Sequence, residues 1–233
     1  QKEFGLEDGL ASTATWGDVK ERFPNLNIPN GNSLNDPYVQ ILDPATGTGT
    51  FLYECIEVIE HTMKEKWCKE LSIKDWSDTA INERWINYVS NHLINRIYGY
   101  EIMIASYSIA HLKLAFKLVE TGYRLKNIDR LHIYLTNTLE PPAEYADSQY
   151  ADLFETLATE AQEVNRVKRD LRFTIIIGNP PYAYSSSNYG EWISELILSY
   201  YHVDGKPLGE RNPKGLQDDY VKFIRYAQHS IIE

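Results

Sequence analysis

Four apolar runs, each leading into a polar residue, constrain the fold of this chain more than any other feature. They read YVQILDP, NRIYGYEI, LHIYLTNTL and FTIIIGNPPY, at 38–44, 95–102, 131–139 and 173–182. Apolar residues follow one another in these runs instead of alternating with polar ones, as expected of strands covered on both faces. The runs therefore predict strands of a parallel sheet that lies between two layers of helices.

The segments between these runs have the periodicity of helices. Apolar residues from Leu52 to Met63 recur every three or four positions, which is typical of an amphipathic helix. The segments 105–122 and 153–171 predict two further helices. Because strands and helices alternate, the sequence predicts an α/β fold with a doubly wound, mostly parallel sheet.

The polar residues at the strand ends are the candidate site residues. They are Asp43, Glu101, Asn137 and Asn179. Ligands of doubly wound sheets bind off the carboxyl ends of the strands. We therefore expect these four side chains to surround one ligand site.

The rest of the chain divides into segments of different character. Residues 1–38 are rich in Gly, Pro, Asn and Asp and predict a loop-rich segment with a short helix near 17–22. Residues 39–233 are interpreted as one domain, with a helical insertion at about 67–95 that carries Trp and Tyr among polar residues. The tail predicts polar loops at 185–188 and 204–215 and a last helix from about residue 216.

Charge and composition bear on DNA binding, membrane insertion, disulfides and metal sites. The net charge is −10, whereas proteins that bind DNA through its phosphates need a basic surface, so any DNA contact is expected to be local or made by another part. No apolar run approaches the roughly 18–20 residues that span a bilayer, and a cytoplasmic location is expected. Cys55 and Cys68 predict reduced thiols. The six histidines show no ligand pairing, so no metal site is predicted.

Both ends of the sequence suggest a piece of a longer protein. The chain begins with QKEFG, without a methionine, and ends with HSIIE inside an apolar helical pattern. We therefore expect further domains in a parent chain.

The loop after the first strand limits the choice of cofactor. The stretch DPATGTGTFL, residues 43–52, places Gly47 and Gly49 between a strand and a helix, where the backbone can approach a ligand closely. A dinucleotide motif would have a third glycine where Leu52 stands, and a P-loop would have a lysine. The acidic Asp43 disfavours a pyrophosphate and suits a cationic ligand with an amino group, such as S-adenosyl-L-methionine.

Two stretches together resemble one enzyme family. DPATGTGTFL resembles the cofactor-binding motif of DNA methyltransferases that methylate amino groups, and NPPY at 179–182 resembles their catalytic motif. FGLEDGLASTATWGDV, IYGYEI and GLQDDYVKFIRYAQ are similar to the methyltransferase region of Type ISP and Type IIG restriction–modification enzymes. The resemblance covers about residues 5–233. It implies a Rossmann-like S-adenosylmethionine-dependent methyltransferase fold that is truncated on its C-terminal side.

The resemblance assigns a set of residues to the cofactor. It implies that Glu101 binds the ribose hydroxyls, while Asn137 stands where the family often has the Asp that holds the adenine amino group. The complete implied set is Asp43, Pro44, Ala45, Thr46, Gly47, Gly49, Thr50, Phe51, Glu101, Ile102, Asn137 and Thr138.

The resemblance assigns catalysis to Asn179, Pro180, Pro181 and Tyr182. An aromatic amino group is a weak nucleophile because its lone pair is delocalised into the ring. The side-chain oxygen of Asn179 and the backbone carbonyl of Pro180 would accept its two hydrogens and free that lone pair. Tyr182 would stack on the target base, which must first leave the duplex.

These implications define one main hypothesis and two alternatives. The main hypothesis is an adenine-specific DNA methyltransferase of a restriction–modification protein, acting on the N6 amino group of an adenine flipped out of double-stranded DNA. The parent chain would add target recognition, with helicase and nuclease domains as further candidates. One alternative keeps the cofactor but takes a glutamine amide or an RNA base amino group as the acceptor. The other is an inactive fragment that retains the cofactor or tethers DNA.

Overall fold

The main sheet has the predicted parallel architecture. The computed structural model describes residues 4–125, 130–142, 155–182, 188–209 and 214–232. Within these residues the sheet has four strands, β1 (Ile41–Asp43), β2 (Ile97–Glu101), β3 (His132–Leu135) and β4 (Ile175–Ile176). The order is β3–β2–β1–β4, and every neighbouring pair is parallel. The predicted α/β class is confirmed.

Seven helices accompany these strands within the described residues. They are α1 (Trp16–Arg22), α2 (Thr50–Leu71), α3 (Thr79–Tyr88), α4 (Ile104–Glu120), α5 (Glu155–Asp170), α6 (Glu191–Leu198) and α7 (Asp219–Ile232). The start of the helix predicted at 153–171 falls on residues 153–154, outside the described residues.

Neighbouring strand residues bury their side chains on opposite faces of the sheet. Ile41 belongs to a core cluster formed with α2, α3 and α4. The next residue, Leu42, belongs to a second cluster formed with α5, α6 and α7. Helices therefore cover both faces, which explains why the strand sequences are continuously apolar.

The fourth strand is shorter than the run 173–182 predicts. Only Ile175 and Ile176 have strand geometry, although the N–H of Ile177 still donates to the carbonyl of Leu42 at 3.0 Å. Pro180 and Pro181 have no N–H with which to continue a ladder. The remainder of the run is therefore a strand-end loop.

The helical segment predicted as an insertion packs into the main core. Ile81 and Trp85 of α3 are fully buried in the same cluster as Ile41. The indole N–H of Trp85 donates to the hydroxyl of Thr121 at 2.8 Å. A π turn (Val89–Leu93) and a 3-10 turn (Ile94–Arg96) then lead into β2. The domain boundary at 38/39 and the limits of the insertion remain predictions.

The N-terminal segment contains the predicted short helix and is held by one buried arginine. The helix α1 begins with a capping box between Thr15 and Asp18. Arg96 is fully buried, and its guanidinium donates to the carbonyls of Leu10 and Ser12 at 3.1 and 2.6 Å. It also donates to the hydroxyl of Tyr88 at 2.7 Å. This network links the first residues of the chain to the connection before β2.

The tail differs from the sequence prediction. The helix α6 was not predicted. An antiparallel hairpin of β5 (His202–Val203) and β6 (Lys206–Pro207) takes in the first part of the loop predicted at 204–215. The hairpin turns at Asp204 and Gly205, whose φ angles are 52° and 73°. The last helix, α7, begins at Asp219, after a 3-10 turn at Lys214–Gln217.

Replacing the buried arginine is expected to loosen the N-terminal segment. Arg96→Met leaves the carbonyls of Leu10 and Ser12 without their donor, and each unpaired buried group costs about 1–3 kcal/mol. We expect the free energy of unfolding in urea to fall by about 2–4 kcal/mol, with faster proteolysis near residues 9–15.

Arg84→Met is the matched control, because Arg84 forms an exposed ion pair with Glu70 at 2.9 Å. Exposed pairs contribute about 0–1 kcal/mol. Equal losses in the two variants would contradict the structural role assigned to Arg96.

Candidate active site

The loop between β1 and α2 is fastened to the end of β2. The N–H of Thr46 donates to the carbonyl of Tyr100 at 2.9 Å, and the Thr46 hydroxyl donates to the carbonyl of Asp43 at 3.0 Å. The N–H of Gly47 donates to the carboxylate of Glu101 at 2.8 Å. These three bonds fix the path of the glycine-rich loop over the strand ends.

The two glycines of this loop have different functions. Gly49 precedes α2 with a φ of 79°, and a Cβ there would lie 3.3 Å from the Cα of Ala110. It therefore allows α2 and α4 to approach closely. Gly47 has a φ of 55°, and a Cβ there would meet no atom within 4 Å. Its backbone lies beside open space, as a ligand-approaching position requires.

Glu101 connects the loop to the start of α4. It is nearly buried, and one carboxylate oxygen accepts from Gly47 N while the other accepts from Met103 N at 2.7 Å. A carboxylate oxygen has a second lone pair. Glu101 therefore keeps acceptor capacity for hydroxyl donors even though both of its oxygens are held by the backbone.

Asp43 is a buried acid with an unusual environment. One oxygen, Oδ1, accepts from the N–H of Ala45 at 3.0 Å. The other, Oδ2, is buried and has no hydrogen-bond partner among the described residues. Burial, with a smaller contribution from the charge of Glu101, raises the pKa of Asp43 to about 7. Its charged form is therefore disfavoured until a donor or cation reaches it.

The glycine before NPPY is required by Asp43. A Cβ at Gly178 would lie 2.6 Å from Oδ1 of Asp43, a separation that real structures do not tolerate. A side chain at residue 178 would therefore require Asp43 or the loop after β4 to move. The pairing of β1 with β4, extended by the bond from Ile177 N to the Leu42 carbonyl, places the two sequence motifs side by side.

The end of β3 is tied to the same loop. Thr138 is buried and donates its hydroxyl to the carbonyl of Pro44. The side-chain oxygen of Asn137 accepts from Leu139 N at 3.1 Å, and its amide nitrogen donates to Glu140 at 3.0 Å. The Asn137 side chain is thus engaged within its own loop.

The NPPY segment presents an exposed aromatic ring. Tyr182 is 73% exposed, and its hydroxyl lies 3.4 Å from Oδ1 of Asn179, a long hydrogen bond. One face of the ring stacks on Tyr220 of α7, with centroids 4.9 Å apart and planes inclined by 16°. Burial does not hold this ring, so the stacking contact orients it.

One cavity of about 340 Å³ joins the strand ends. Among the predicted site residues, its wall contains Pro44, Ala45, Glu101, Ile102, Asn137, Thr138, Asn179 and Pro181. Other predicted residues lie outside the wall: Asp43, Thr46, Gly47, Gly49, Thr50, Phe51, Pro180 and Tyr182. Of these, Asp43 and Thr46 are buried, and Phe51 is 38% exposed.

Sequence reasoning missed six residues of the cavity wall: Tyr100, Met103, Thr136, Leu139, Asn188 and Phe223. Most of them neighbour a predicted residue in the sequence, and this adjacency was a usable signal. Asn188 and Phe223 come from the tail, where no strand-end pattern marked them. Phe223 does lie within GLQDDYVKFIRYAQ, a stretch that carried the family resemblance.

Metal-binding groups and reactive cysteines are two other kinds of site that a chain of this composition could form. In the described part of the chain, no group of three or more His, Cys, Asp and Glu residues could hold a metal ion. Cys55 and Cys68 are buried free thiols, and burial raises the pKa of Cys55 to about 11, which makes it a poor nucleophile. No helix in the described residues is long and apolar enough to cross a membrane.

The chain is similar to a described family of methylases and to solved structures. The family model described as Eco57I restriction-modification methylase matches residues 95–228, which is more than half of the chain. A search of curated proteins gave no match.

Solved structures show the same fold. A nuclease-deletion mutant of the Type ISP restriction-modification enzyme LlaGI, in complex with a DNA substrate mimic, matches with a TM-score of 0.60 and 23% identity over 97% of this chain and 17% of that one. The ATP-dependent Type ISP enzyme LlaBIII bound to DNA matches with a TM-score of 0.60 and 21% identity, over 100% of this chain and 14% of that one. A DrdV–DNA complex matches with a TM-score of 0.54 and 23% identity, over 97% of this chain and 19% of that one. The chain thus spans less than a fifth of each of these proteins.

The buried acid is expected to make stability depend on pH. Because the pKa of Asp43 rises from 3.8 to about 7, the folded state binds this proton more tightly than the unfolded state. Its contribution to stability is present below pH 4 and is lost as the pH rises to about 7. Asp43→Asn removes this titration. At each pH we compare the free energy of unfolding of the variant with that of the original protein. We expect this difference to be more favourable to the variant at pH 8 than at pH 4.5, by roughly 2–4 kcal/mol.

The measurement is chemical denaturation of the ligand-free protein across this pH range. Asp75→Asn is the control, because Asp75 is exposed and hydrogen bonds from Ser77 lower its pKa, so its removal brings no gain as the pH rises. Parallel stability curves for Asp43→Asn and the original protein would exclude the raised pKa.

Proposed function

The chain belongs to the Eco57I restriction-modification methylase family, and we propose that it transfers a methyl group from S-adenosyl-L-methionine to the N6 amino group of adenine in DNA. The observation that carries the proposal is the cavity whose wall includes both Glu101 and Asn179. A donor site and an acceptor site must share one space for a direct transfer, and these two motif residues share one.

The cofactor side of the cavity has groups that suit this ligand. Glu101 has lone pairs for the two ribose hydroxyls. Asp43 lies buried outside the cavity wall, with an oxygen that has no partner among the described residues, and an ammonium group that reached it would favour its charged form. Open space beside Gly47 leaves the backbone accessible. When bound, the cofactor supplies a methyl group on a sulfonium sulfur, which is an activated electrophile.

The acceptor side has groups that suit an aromatic amine. The side-chain oxygen of Asn179 and the carbonyl of Pro180 accept the two amino hydrogens, so that the nitrogen lone pair turns toward the methyl group. The exposed ring of Tyr182 stacks on the base, an interaction that contributes about 1–3 kcal/mol per base. The target adenine leaves the duplex because its amino group is otherwise paired. Catalysis then rests on alignment and electrostatics.

DNA recognition is assigned to the larger protein. With a net charge of −10, this chain is a poor binder of phosphates, which dominate DNA affinity. The solved relatives are DNA complexes of much longer chains. We infer that a target-recognition domain of the parent chain supplies sequence readout, as base contacts in the grooves require.

The deciding experiment identifies the methylated product. The longest soluble parent protein is incubated with methyl-labelled S-adenosyl-L-methionine and unmethylated double-stranded DNA, and the DNA is digested to nucleosides. Label in N6-methyldeoxyadenosine supports the proposal. Parallel reactions with RNA and with glutamine-containing protein test the other acceptors. Label in one of these molecules, and none in DNA, would identify that molecule as the substrate. Cofactor binding without any product would support an inactive fragment.

Removing the proposed acceptor oxygen is expected to stop transfer and leave the cofactor bound. In Asn179→Ala, the side chain that accepts an amino hydrogen is gone, so the methylation rate should fall by at least about 100-fold. Cofactor affinity, measured by calorimetry, should stay within a few-fold. Asn91→Ala, at an exposed residue that is not part of the cavity wall, serves as the matched control. Unchanged methylation in Asn179→Ala would remove Asn179 from the mechanism.

Removing the proposed ribose acceptor is expected to have the opposite pattern. Glu101→Ala eliminates bonds to a charged acceptor, which contribute about 1.5–3 kcal/mol each, so cofactor affinity should fall by roughly tenfold or more. Glu70→Ala, an exposed carboxylate, is the control. Thermal unfolding of both variants separates this loss from a disturbance of the Gly47 loop. Equal affinity in a folded Glu101→Ala variant would move the ribose site elsewhere.

A further inference from the structure

Acidic and amide side chains in the turns of this chain share one local hydrogen bond. In each case the first side-chain oxygen accepts from the N–H two residues later, an Asx-turn. The distances lie between 2.8 and 3.1 Å for the pairs Asp43–Ala45, Asp75–Ser77, Asp78–Ala80, Asn137–Leu139 and Asp218–Tyr220. An Asx residue at a turn of this chain thus commonly binds its own backbone.

Asn137 shows what this bond does to a strand-end amide. Its oxygen accepts from Leu139 N at 3.1 Å, and its nitrogen donates to Glu140 at 3.0 Å. Both polar atoms of the side chain are therefore engaged within its own loop. An asparagine that must present its oxygen to a ligand has to avoid this arrangement.

Asn179 also follows the end of a strand, β4, but its loop cannot form the bond. The residue two positions later is Pro181, which has no N–H. The hydrogen bond that Oδ1 of Asn179 does form comes from the Tyr182 hydroxyl at 3.4 Å, which is long enough to be displaced easily. Both Asn179 and Pro181 line the cavity.

We propose that Pro181 is a positioning residue that withholds a backbone donor, so that the side-chain oxygen of Asn179 stays open to the exocyclic amino group of the target base. The inference rests on the proposed function for the identity of that external donor. It assigns the two prolines of the motif different tasks. The carbonyl of Pro180 accepts a hydrogen of the amine, whereas the absent N–H of Pro181 protects the other acceptor.

The size of the effect follows from the competition between donors. A net hydrogen bond between neutral groups shifts an equilibrium by about 2- to 12-fold. An N–H at position 181 should therefore lower the methylation rate at saturating DNA and cofactor by about 2- to 12-fold. Cofactor affinity should not change, because the cofactor residues are untouched.

The test separates the N–H from the ring of proline. In the parent protein, Pro181→Ala removes the ring and adds an N–H. Pro181→lactic acid, introduced as an α-hydroxy acid, removes the ring equally but places an ester oxygen where the N–H would be. The ester variant is the matched control for the alanine variant, because the two differ only in the atom that would carry the N–H. We expect Pro181→Ala to be slower than Pro181→lactic acid, with equal cofactor binding in both.

A second readout does not depend on activity. In Pro181→Ala, the new backbone N–H should exchange slowly with solvent deuterium and should become fast when Asn179→Ala is added. Fast exchange already in the single variant would overturn the proposal, since no bond to Asn179 would exist.

The remaining outcomes are also decisive. Equal methylation rates for Pro181→Ala and Pro181→lactic acid would overturn the role of the withheld donor and would assign the effect to the ring. A parent protein that methylates no DNA would overturn the proposed function and, with it, the base amino group as the donor to Asn179. Slow exchange in Pro181→Ala would, in that case, still establish the bond between the new N–H and Asn179. DNA methylation with identical rates in all variants would overturn the inference alone.

Discussion

The site depends on the buried carboxylate of Asp43. Its Oδ1 accepts from Ala45 N at 3.0 Å, and a Cβ at Gly178 would lie 2.6 Å from the same oxygen. The loop after β1 therefore needs a short acceptor at residue 43, and the loop after β4 needs a residue without a side chain. The parallel pairing of β1 with β4 places two motifs, separated by more than a hundred residues in the sequence, side by side, and the glycine at 178 lets the second loop lie close against Asp43. The glycine that precedes NPPY is thus explained by packing, independently of any catalytic role.

The same carboxylate sets the charge preference of the site. Asp43 and Glu101 are both buried at the carboxyl end of the sheet, and the charge of Glu101 adds to the burial that raises the pKa of Asp43. A phosphate placed beside them would meet two acids, whereas a cationic group would offset both. This preference separates the site from dinucleotide and nucleotide sites that use a similar glycine-rich loop. It is a property of the strand ends, and the net charge of the chain only reinforces it.

Much of the sheet and part of the site were predictable, for identifiable reasons. Buried parallel strands are continuous apolar runs, so the four strands, the polar residues at their ends and the parallel class followed directly. The helix α6 was missed because its eight residues hold too few turns for a clear period. The hairpin had a signal, since Asp204 and Gly205 form the Asp-Gly pair that two-residue turns favour. Asn188 and Phe223 could not be placed, because only tertiary packing brings the tail to the cavity.

The three groups of this site that we propose contact a ligand are oriented in three different ways. Glu101 is held by backbone donors from both sides, which leaves lone pairs over. Tyr182 is held by stacking on Tyr220, which occupies one face of the ring and leaves the opposite face. Asn179 is followed two residues later by Pro181, which has no N–H to donate to its side chain. In each case a lone pair or a ring face stays open to a ligand. The site can therefore be ordered before any ligand arrives, which is the condition for catalysis by alignment.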